Sequence, residues 1–321
     1  MRPASRRRWP FPPEVLALAG PTAAGKSALA HAAARALGVE IVVADPFQRY
    51  RGLEIAADSP RSAALAEVTH HCVGDLALTD RSTAAGFAER AHAAIDACVA
   101  AGRPVVVSGG TGLYLRAALS DLAFPAQAPP EAREWAERLA ARDPEAALAA
   151  LRARDPEAAA GVHVSNPRRL ARALEVAAGG GRRGDALWSA EPRRPTLLVA
   201  VTRPREELDR RIAERVRREL DEGLVAELEA ALDTPGVSRE ALQVIGAREV
   251  AAVRAGTLDR AELPARLAAR TRRLARKQLT WLRKTAGAVA LDLGDAPAEA
   301  ALPALIELWE GAGAGPVTSV R

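Results

Sequence analysis

Hydrophobic positions along the chain fall into two textures. Short apolar runs lie at 15–19, 39–44, 104–107 and 196–201, with a weaker one at 289–293, and each is bounded by glycine or polar residues. Between them, small and apolar residues recur at helical spacing over 28–37, where Gly38 stops the helix, and long charged helices are predicted at about 204–232, 238–255 and 259–284. Apolar strands alternating with helices predict a parallel sheet covered on both faces. Ligands of such sheets bind beyond the carboxyl ends of the strands. The first run ends at Gly20, the second at Asp45 and the third at Gly109-Gly110-Thr111-Gly112, so three polar or glycine-rich loops are expected at one edge.

From about 125 to 195 the texture changes. The sequence becomes charged and alanine-rich, is punctuated by Asp143-Pro144, Asp155-Pro156 and Asn166-Pro167, and holds no strand-like run. We read an α/β fold, a P-loop NTPase-like parallel sheet flanked by helices with an inserted all-helical lobe. The expected divisions are a catalytic core at 11–124 and 196–321 that includes the C-terminal helices, a helical insertion at 125–195, and a basic arm at 1–10. No repeat of solenoid period is present.

Composition changes this picture little. With 321 residues, 49% hydrophobic and 26% charged, the chain can bury a core and is not a disordered tail or a collagen-like repeat. The net charge is +5, yet only three of the 45 basic residues are lysines, so the excess reflects an arginine-rich composition and says little about partners. Cys72 and Cys98 belong to no metal or disulfide spacing. The start is basic without an apolar segment before Pro10, and no long uncharged apolar stretch follows, which predicts a cytoplasmic protein without membrane contact.

The segment Gly20-Pro21-Thr22-Ala23-Ala24-Gly25-Lys26-Ser27 satisfies the phosphate-loop spacing G-x-x-x-x-G-K-[ST] between a predicted strand and a predicted helix. Glycines let backbone N–H groups curl around phosphate oxygens, the lysine reaches the terminal phosphate and the serine ligates Mg²⁺. A nucleotide-hydrolysing enzyme would also place an acid at a strand end to hold the metal. The run at 104–107 supplies none, which points away from a standard NTPase.

Eight segments in order resemble the tRNA dimethylallyltransferase family, that is, tRNA isopentenyltransferases. They are GPTAAGKS at 20–27, ADPFQRYRGLEI at 44–55, HH at 70–71, PVVVSGGTGLYLRAAL at 104–119, NPRRLARALEV at 166–176, LDRRIAERV at 208–216, LQVIGARE at 242–249 and TRRLARKQLTWLRK at 271–284. The resemblance implies transfer of a five-carbon chain from dimethylallyl diphosphate to the exocyclic amine of the adenosine 3′ to a tRNA anticodon, with Mg²⁺ as cofactor. It implies that the loop, with Arg211 and Arg215, holds the diphosphate. It further implies that Asp45 is the base, that Lys26 and Arg215 stabilise the leaving group, and that Thr111 bonds its bridging oxygen. Developing charge on a leaving diphosphate needs cations and donors, and a weakly nucleophilic aromatic amine needs a carboxylate to take its proton.

A stacked anticodon base must be extruded to reach such a pocket, so the tRNA has to be gripped. The resemblance implies contacts from Asp45, Pro46, Phe47, Gln48 and Thr111 around the target base, with Arg51 near the adenine. It implies others from Arg133, from Arg168, Arg169, Leu170, Ala171 and Arg172 on the insertion, and from Gln243, Val244, Ile245, Gly246, Ala247 and Arg248. A basic helix adds Arg276, Lys277, Gln278, Leu279, Thr280, Trp281, Leu282, Arg283 and Lys284, with Trp281 read as an anchor for that helix. The expected partners are thus a tRNA anticodon stem-loop and dimethylallyl diphosphate, and the expected state is a monomer. Departures from the family pattern are Pro46 in place of serine, the absence of threonine and lysine from 55–60, and Ala247 in place of an aromatic residue. His70 and His71, adjacent and without a partner cluster, read as structural. Other readings are a P-loop small-molecule kinase, an isopentenyltransferase of free adenine nucleotides, and an RNA-binding protein with a relict loop.

Overall fold

The computed structural model describes residues 12–124, 128–179, 191–285 and 287–313, so the arm at 1–10 and residues 125–127 and 180–190 of the expected insertion lie outside the described residues. Five apolar runs form strands: β1 (Val15–Ala19), β2 (Glu40–Val43), β4 (Val105–Gly109), β5 (Thr196–Thr202) and β6 (Val289–Asp292). A sixth, β3 (His70–His71), follows the short helix α2 (Ser62–Glu67) and is two residues long, too short to show as an apolar run. Both of its imidazoles are engaged, His70 Nδ1 with the Val68 carbonyl at 2.8 Å and His71 Nε2 with Glu40 at 2.6 Å.

The strands pair in parallel in the order β3-β2-β4-β1-β5-β6. After β1 the chain runs through α1 (Lys26–Leu37) toward β2 on one side, whereas after β4 it proceeds to β5 on the other. The loops leaving β1 and β4 therefore diverge, and a crevice opens between the carboxyl ends of these two strands. Alternation along the strands puts Leu16, Leu18, Ile41, Val43, Val106, Val199 and Val201 on one face, where they pack with Leu29 and Ala33 of α1 and Leu305 and Trp309 of α13 (Leu302–Gly311). Helices α3 (Ala84–Ala100) and α4 (Gly112–Leu119) pack on β2 and β4.

Two of the long charged helices are broken. The stretch expected at 204–232 divides into α9 (Arg205–Asp221) and α10 (Leu224–Asp233) at Gly223, whose φ of 102° no helix interior accommodates. That at 238–255 divides into a 3₁₀ turn at Ala241–Gln243 and α11 (Ala247–Arg254), with Gly246 at φ 108° between them. The last becomes α12 (Leu263–Leu282). These helices share a second core with the segment after β2, in which Tyr50 and Leu53 meet Ile212, Val216, Leu228, Val244 and Leu267.

The chain divides into a unit comprising Met1–Ser120 and Pro192–Arg321 and a unit Asp121–Glu191. The first unit closes at Ser120 and Pro192, which bridge in antiparallel fashion while Arg193 N–H donates to the Leu119 carbonyl at 2.7 Å. The second consists, among the described residues, of α5 (Pro130–Arg142), α6 (Pro144–Arg154), α7 (Pro156–Ala160) and α8 (Pro167–Ala178) around a core of Ala136, Leu151, Leu170 and Leu174. Each X-Pro pair starts a helix: Asp143, Asp155 and Asn166 accept from the amides of Ala146, Ala158 and Arg169, and the proline takes the first helical position, where its missing N–H costs nothing.

Candidate active site

Residues 20–27 form the turn between β1 and α1. Gly20 passes so close to β5 that a Cβ there would stand 2.3 Å from the Val201 carbonyl oxygen. Ala23 and Gly25 take positive φ values of 63° and 95°, which curl the loop. Gly25 caps α1 without a side-chain bond, leaving the first amides of that helix directed at whatever occupies the loop. Side chains brace the loop from several elements. Lys26 Nζ donates to the Pro21 carbonyl at 2.7 Å and Arg215 Nη1 to Thr22 Oγ1 at 3.0 Å. Arg211 Nε donates to the Ala23 carbonyl at 2.9 Å, Arg203 Nε to the Ala24 carbonyl at 2.8 Å, and Gln278 Oε1 accepts from Thr22 N–H at 2.8 Å.

The loop opens on a cavity of about 870 Å³ lined, among others, by Thr22, Lys26, Ser27, Asp45, Phe47, Gln48, Asp58, Gly110, Arg211 and Arg215. Asp45, just beyond β2, forms a turn: its Oδ1 accepts from the amides of Phe47 at 2.8 Å and Gln48 at 3.3 Å. Burial raises its pKa, while those two amides, Lys26 and Arg215 pull the other way. Burial lowers Lys26 to about 8, with Asp45 opposing. The site thus holds a carboxylate more basic than usual and an ammonium readier than usual to lose its proton.

Arg215 is held on three sides. Besides Thr22, it pairs through Nη1 with Asp58 Oδ2 at 3.0 Å and through Nε with Glu219 at 2.6 Å. Asp58 also pairs with Arg218 at 2.9 Å, and it takes a left-handed φ of 51° in the segment that departs from the family pattern. Gln48 Nε2 donates to the carbonyls of Ala57 and Asp58, both at 3.2 Å, which fixes this turn over the cavity. Sequence reasoning missed Asp58, Arg203 and Glu219, since no motif marks them.

The other expected residues are placed as follows. Thr111 is half-buried at the N-cap of α4 and makes no side-chain cap bond, so its hydroxyl is not consumed there, and the neighbouring Gly110 lines the cavity. Pro46 is half-buried beside Asp45. Arg51 is exposed and donates to the Gly74 carbonyl at 2.7 Å, and neither it nor Thr111 is among the residues that line the cavity. Arg168, Arg169, Arg172, Gln243, Arg248, Arg276, Lys277, Thr280, Arg283 and Lys284 are exposed. Arg133 is half-buried and pairs with Glu137 at 3.1 Å. Leu170, Ala171, Val244, Ala247, Gln278 and Leu282 are buried: Val244 and Gln278 line the cavity, and the other four lie on the inner faces of their helices. Gly246 is also buried, and a Cβ there would stand 2.6 Å from Leu228. Ile245 lines the cavity, Leu279 packs against the sheet core, and the Trp281 ring covers Gly112.

A phosphate loop at a parallel-sheet switch point, a basic carboxylate facing it and no acid along β4 define a P-loop protein arranged for transfer from a phosphorylated donor. The IPP transferase profile matches residues 48–285. The tRNA dimethylallyltransferase of Anaeromyxobacter dehalogenans is 42% identical over 277 residues, 85% of this chain and 92% of that protein. The enzyme of the same name from Thermomicrobium roseum is 41% identical over 275 residues, 84% and 83% of the two chains. The crystal structure of a tRNA isopentenylpyrophosphate transferase from Bacillus halodurans matches at a TM-score of 0.66 and 27% identity, over 93% of this chain and 97% of that one. The chain belongs to the IPP transferase family. No described helix is long and apolar enough to cross a membrane.

Proposed function

We propose that this protein is a tRNA dimethylallyltransferase that moves the dimethylallyl group from dimethylallyl diphosphate to the exocyclic N6 amine of the adenosine 3′ to the anticodon, releasing diphosphate. The observation that carries the reading is the cavity shared by the braced phosphate loop and Asp45. In the reaction the allylic C–O bond breaks, an N–C bond forms, and the amine's proton passes to Asp45. Its raised pKa suits it to that acceptance near neutral pH. The loop amides, Lys26, Arg211 and Arg215 hold the negative charge that grows on the departing diphosphate, and the Thr111 hydroxyl donates to its bridging oxygen.

The donor set fits Mg²⁺. The exposed hydroxyl of Ser27 lines the cavity and offers a hard oxygen ligand of the kind this cation takes while retaining waters, which leaves the Asp45 carboxylate to act as base. When bound, Mg²⁺ neutralises charge on the diphosphate. The anticodon stem-loop is gripped by the exposed basic side of α12 and by Arg168, Arg169 and Arg172 at the start of α8, with Gln243 and Arg248 contributing. The protein works as a monomer in the cytoplasm. Mass analysis of tRNA after incubation with dimethylallyl diphosphate and Mg²⁺ tests the reading: an added five-carbon unit on the adenosine beside the anticodon is expected. Label transferred only to AMP, or phosphorylation of a small molecule by ATP, would overturn it.

Two further outcomes follow from the charges around the loop. Lys26 begins to lose its proton near pH 8, and a diphosphate binds the ammonium form. Affinity for an unreactive dimethylallyl diphosphate analogue is expected to be level below about pH 8. Above it, binding must take up a proton, so affinity falls about tenfold per pH unit. Lys26→Arg should remove the break, as calorimetric titration across pH would reveal.

Asp58 competes with the diphosphate for Arg215. Asparagine tolerates the left-handed backbone of residue 58 but carries no charge, so Asp58→Asn is expected to tighten analogue binding. A half-exposed ion pair is worth about 1 kcal/mol, hence roughly fivefold in Kd. Weaker binding in a calorimetric titration would instead give Asp58 a positioning role.

A further inference from the structure

Helix α12 has two faces with different partners. Arg273, Arg276, Lys277, Thr280, Arg283 and Lys284 are exposed along it and just beyond its end, while Leu267, Thr271, Ala275, Gln278 and Leu282 are buried. Four of the buried side chains are apolar or, as Thr271 does, bond the helix's own backbone, here the Leu267 carbonyl at 2.9 Å. Gln278 alone among them reaches out of the helix to the phosphate loop. Its Oε1 accepts the Thr22 N–H at 2.8 Å, across 256 residues of sequence. Its amide nitrogen lies against the other loop, since a Cβ on Gly110 would stand 2.5 Å from Nε2. One turn further, the Trp281 ring lies over Gly112, where a Cβ would meet it at 2.4 Å. The loops that leave β1 and β4 are thus both seated on one turn of α12.

We infer that Gln278 is a positioning residue that couples RNA on the exposed face of α12 to the conformation of the phosphate loop, so that RNA and diphosphate bind cooperatively. This rests on the tRNA reading above. A helix moves as a rigid element, so any shift or rotation that RNA imposes on the face bearing Arg276 and Lys277 is transmitted to Gln278. The loop is sensitive to that movement because Thr22 is held through both its backbone and its side chain. Its N–H is bound to Gln278 and its hydroxyl to Arg215, the arginine that also faces the diphosphate position. Glycine at 112 is required for the contact, because a Cβ there would meet the rigid Trp281 ring at 2.4 Å, and a Cβ at 110 would displace the Gln278 amide itself. Coupling of this kind is reciprocal: diphosphate must tighten RNA by the factor that RNA tightens diphosphate.

The test measures the Kd of inorganic diphosphate, with Mg²⁺, for the full chain with and without a saturating anticodon stem-loop RNA. Gln278→Met, which keeps the length of the side chain and removes the acceptor, is the comparison. In the unsubstituted protein RNA is expected to lower the diphosphate Kd by about fivefold or more, and in Gln278→Met the ratio is expected to fall to about one. Affinity for a stem-loop that lacks the target base should stay within about twofold, since its contacts then lie on the basic face and Gln278 is buried away from it. Hydrogen exchange of the unsubstituted protein supplies a second readout that needs no variant. An anticodon stem-loop with an abasic site in place of the target adenosine, which puts no base into the cavity lined by Thr22, Lys26 and Ser27, should still slow exchange over residues 20–27. A ratio preserved in Gln278→Met would overturn the inference, as would bound RNA that changes neither diphosphate affinity nor loop exchange. If Gln278→Met loses its fold by circular dichroism, the exchange result decides. RNA that fails to bind at all overturns the tRNA reading, and the inference with it.

Discussion

Asp45→Asn is expected to lower kcat by about 10²–10⁴-fold while tRNA and diphosphate affinities stay within a few-fold. The choice of asparagine is what makes the result interpretable. In the structure Asp45 has two separable uses, because its Oδ1 accepts the amides of Phe47 and Gln48 and so shapes the chain beyond β2. Asparagine offers a carbonyl oxygen for that turn but cannot take a proton from the substrate amine. Asp45→Ala removes both functions, so a loss of activity in that variant alone would leave the turn and the base confounded. The pH profile separates them further. Activity of the unsubstituted protein should fall as pH drops through the Asp45 pKa, which burial raises above the ordinary carboxylate value. Only the deprotonated form can act as base, so a raised pKa moves this acidic limb toward neutrality. The limb should be absent from the residual activity of Asp45→Asn. Single-turnover kinetics with preformed tRNA complex measure the effect, and retention of near-normal turnover in Asp45→Asn would remove the residue from the chemistry.

The parts of this site that were legible in the sequence are those whose geometry is local. The phosphate loop needs eight consecutive residues between a strand and a helix, and Gly20 and Gly25 are glycines for reasons of close approach and positive φ that act within or next to the loop. The same holds for the strand ends that carry Asp45 and Gly109–Gly112. What escaped the sequence is long-range. Gln278 falls in a segment so basic that its neighbours point to RNA, and only the three-dimensional packing turns it toward Thr22. Asp58 reads as one polar residue in a loop, yet a left-handed backbone and two arginines on α9 make it part of the site. Helical periodicity also fails to register the breaks at Gly223 and Gly246, since charged and apolar spacing continues across both. Burial qualifies motif reading: Leu170, Ala171, Ala247 and Leu282 are buried although they lie in segments whose resemblance implies RNA contact, because an amphipathic helix with one exposed basic side is held by the other.

Removing charge from the exposed face of α12 is expected to flatten the salt dependence of tRNA binding. Among the described residues, Arg273, Arg276 and Lys277 have no acidic partner, so each is available to a phosphate. Arg270, on the same helix, is already bound to Glu249 at 2.7 Å, and Arg272 lies 3.4 Å from Asp209. A cation that binds a phosphate releases counterions, and every phosphate left without its cation lowers the slope of log K against log salt by roughly 0.7–0.9. The triple replacement of Arg273, Arg276 and Lys277 by glutamine should therefore reduce the slope by about 2 to 3, and weaken binding most at low salt. Arg270→Gln is the contrast. Its charge is committed within the protein, so the slope should change far less than it does for a single exposed arginine. Filter-binding or anisotropy titrations over a range of salt concentrations give both slopes. An unchanged slope in the triple variant would detach α12 from the RNA interface. A decrease in Arg270→Gln equal to that of one exposed arginine would mean that the pair with Glu249 opens when RNA binds.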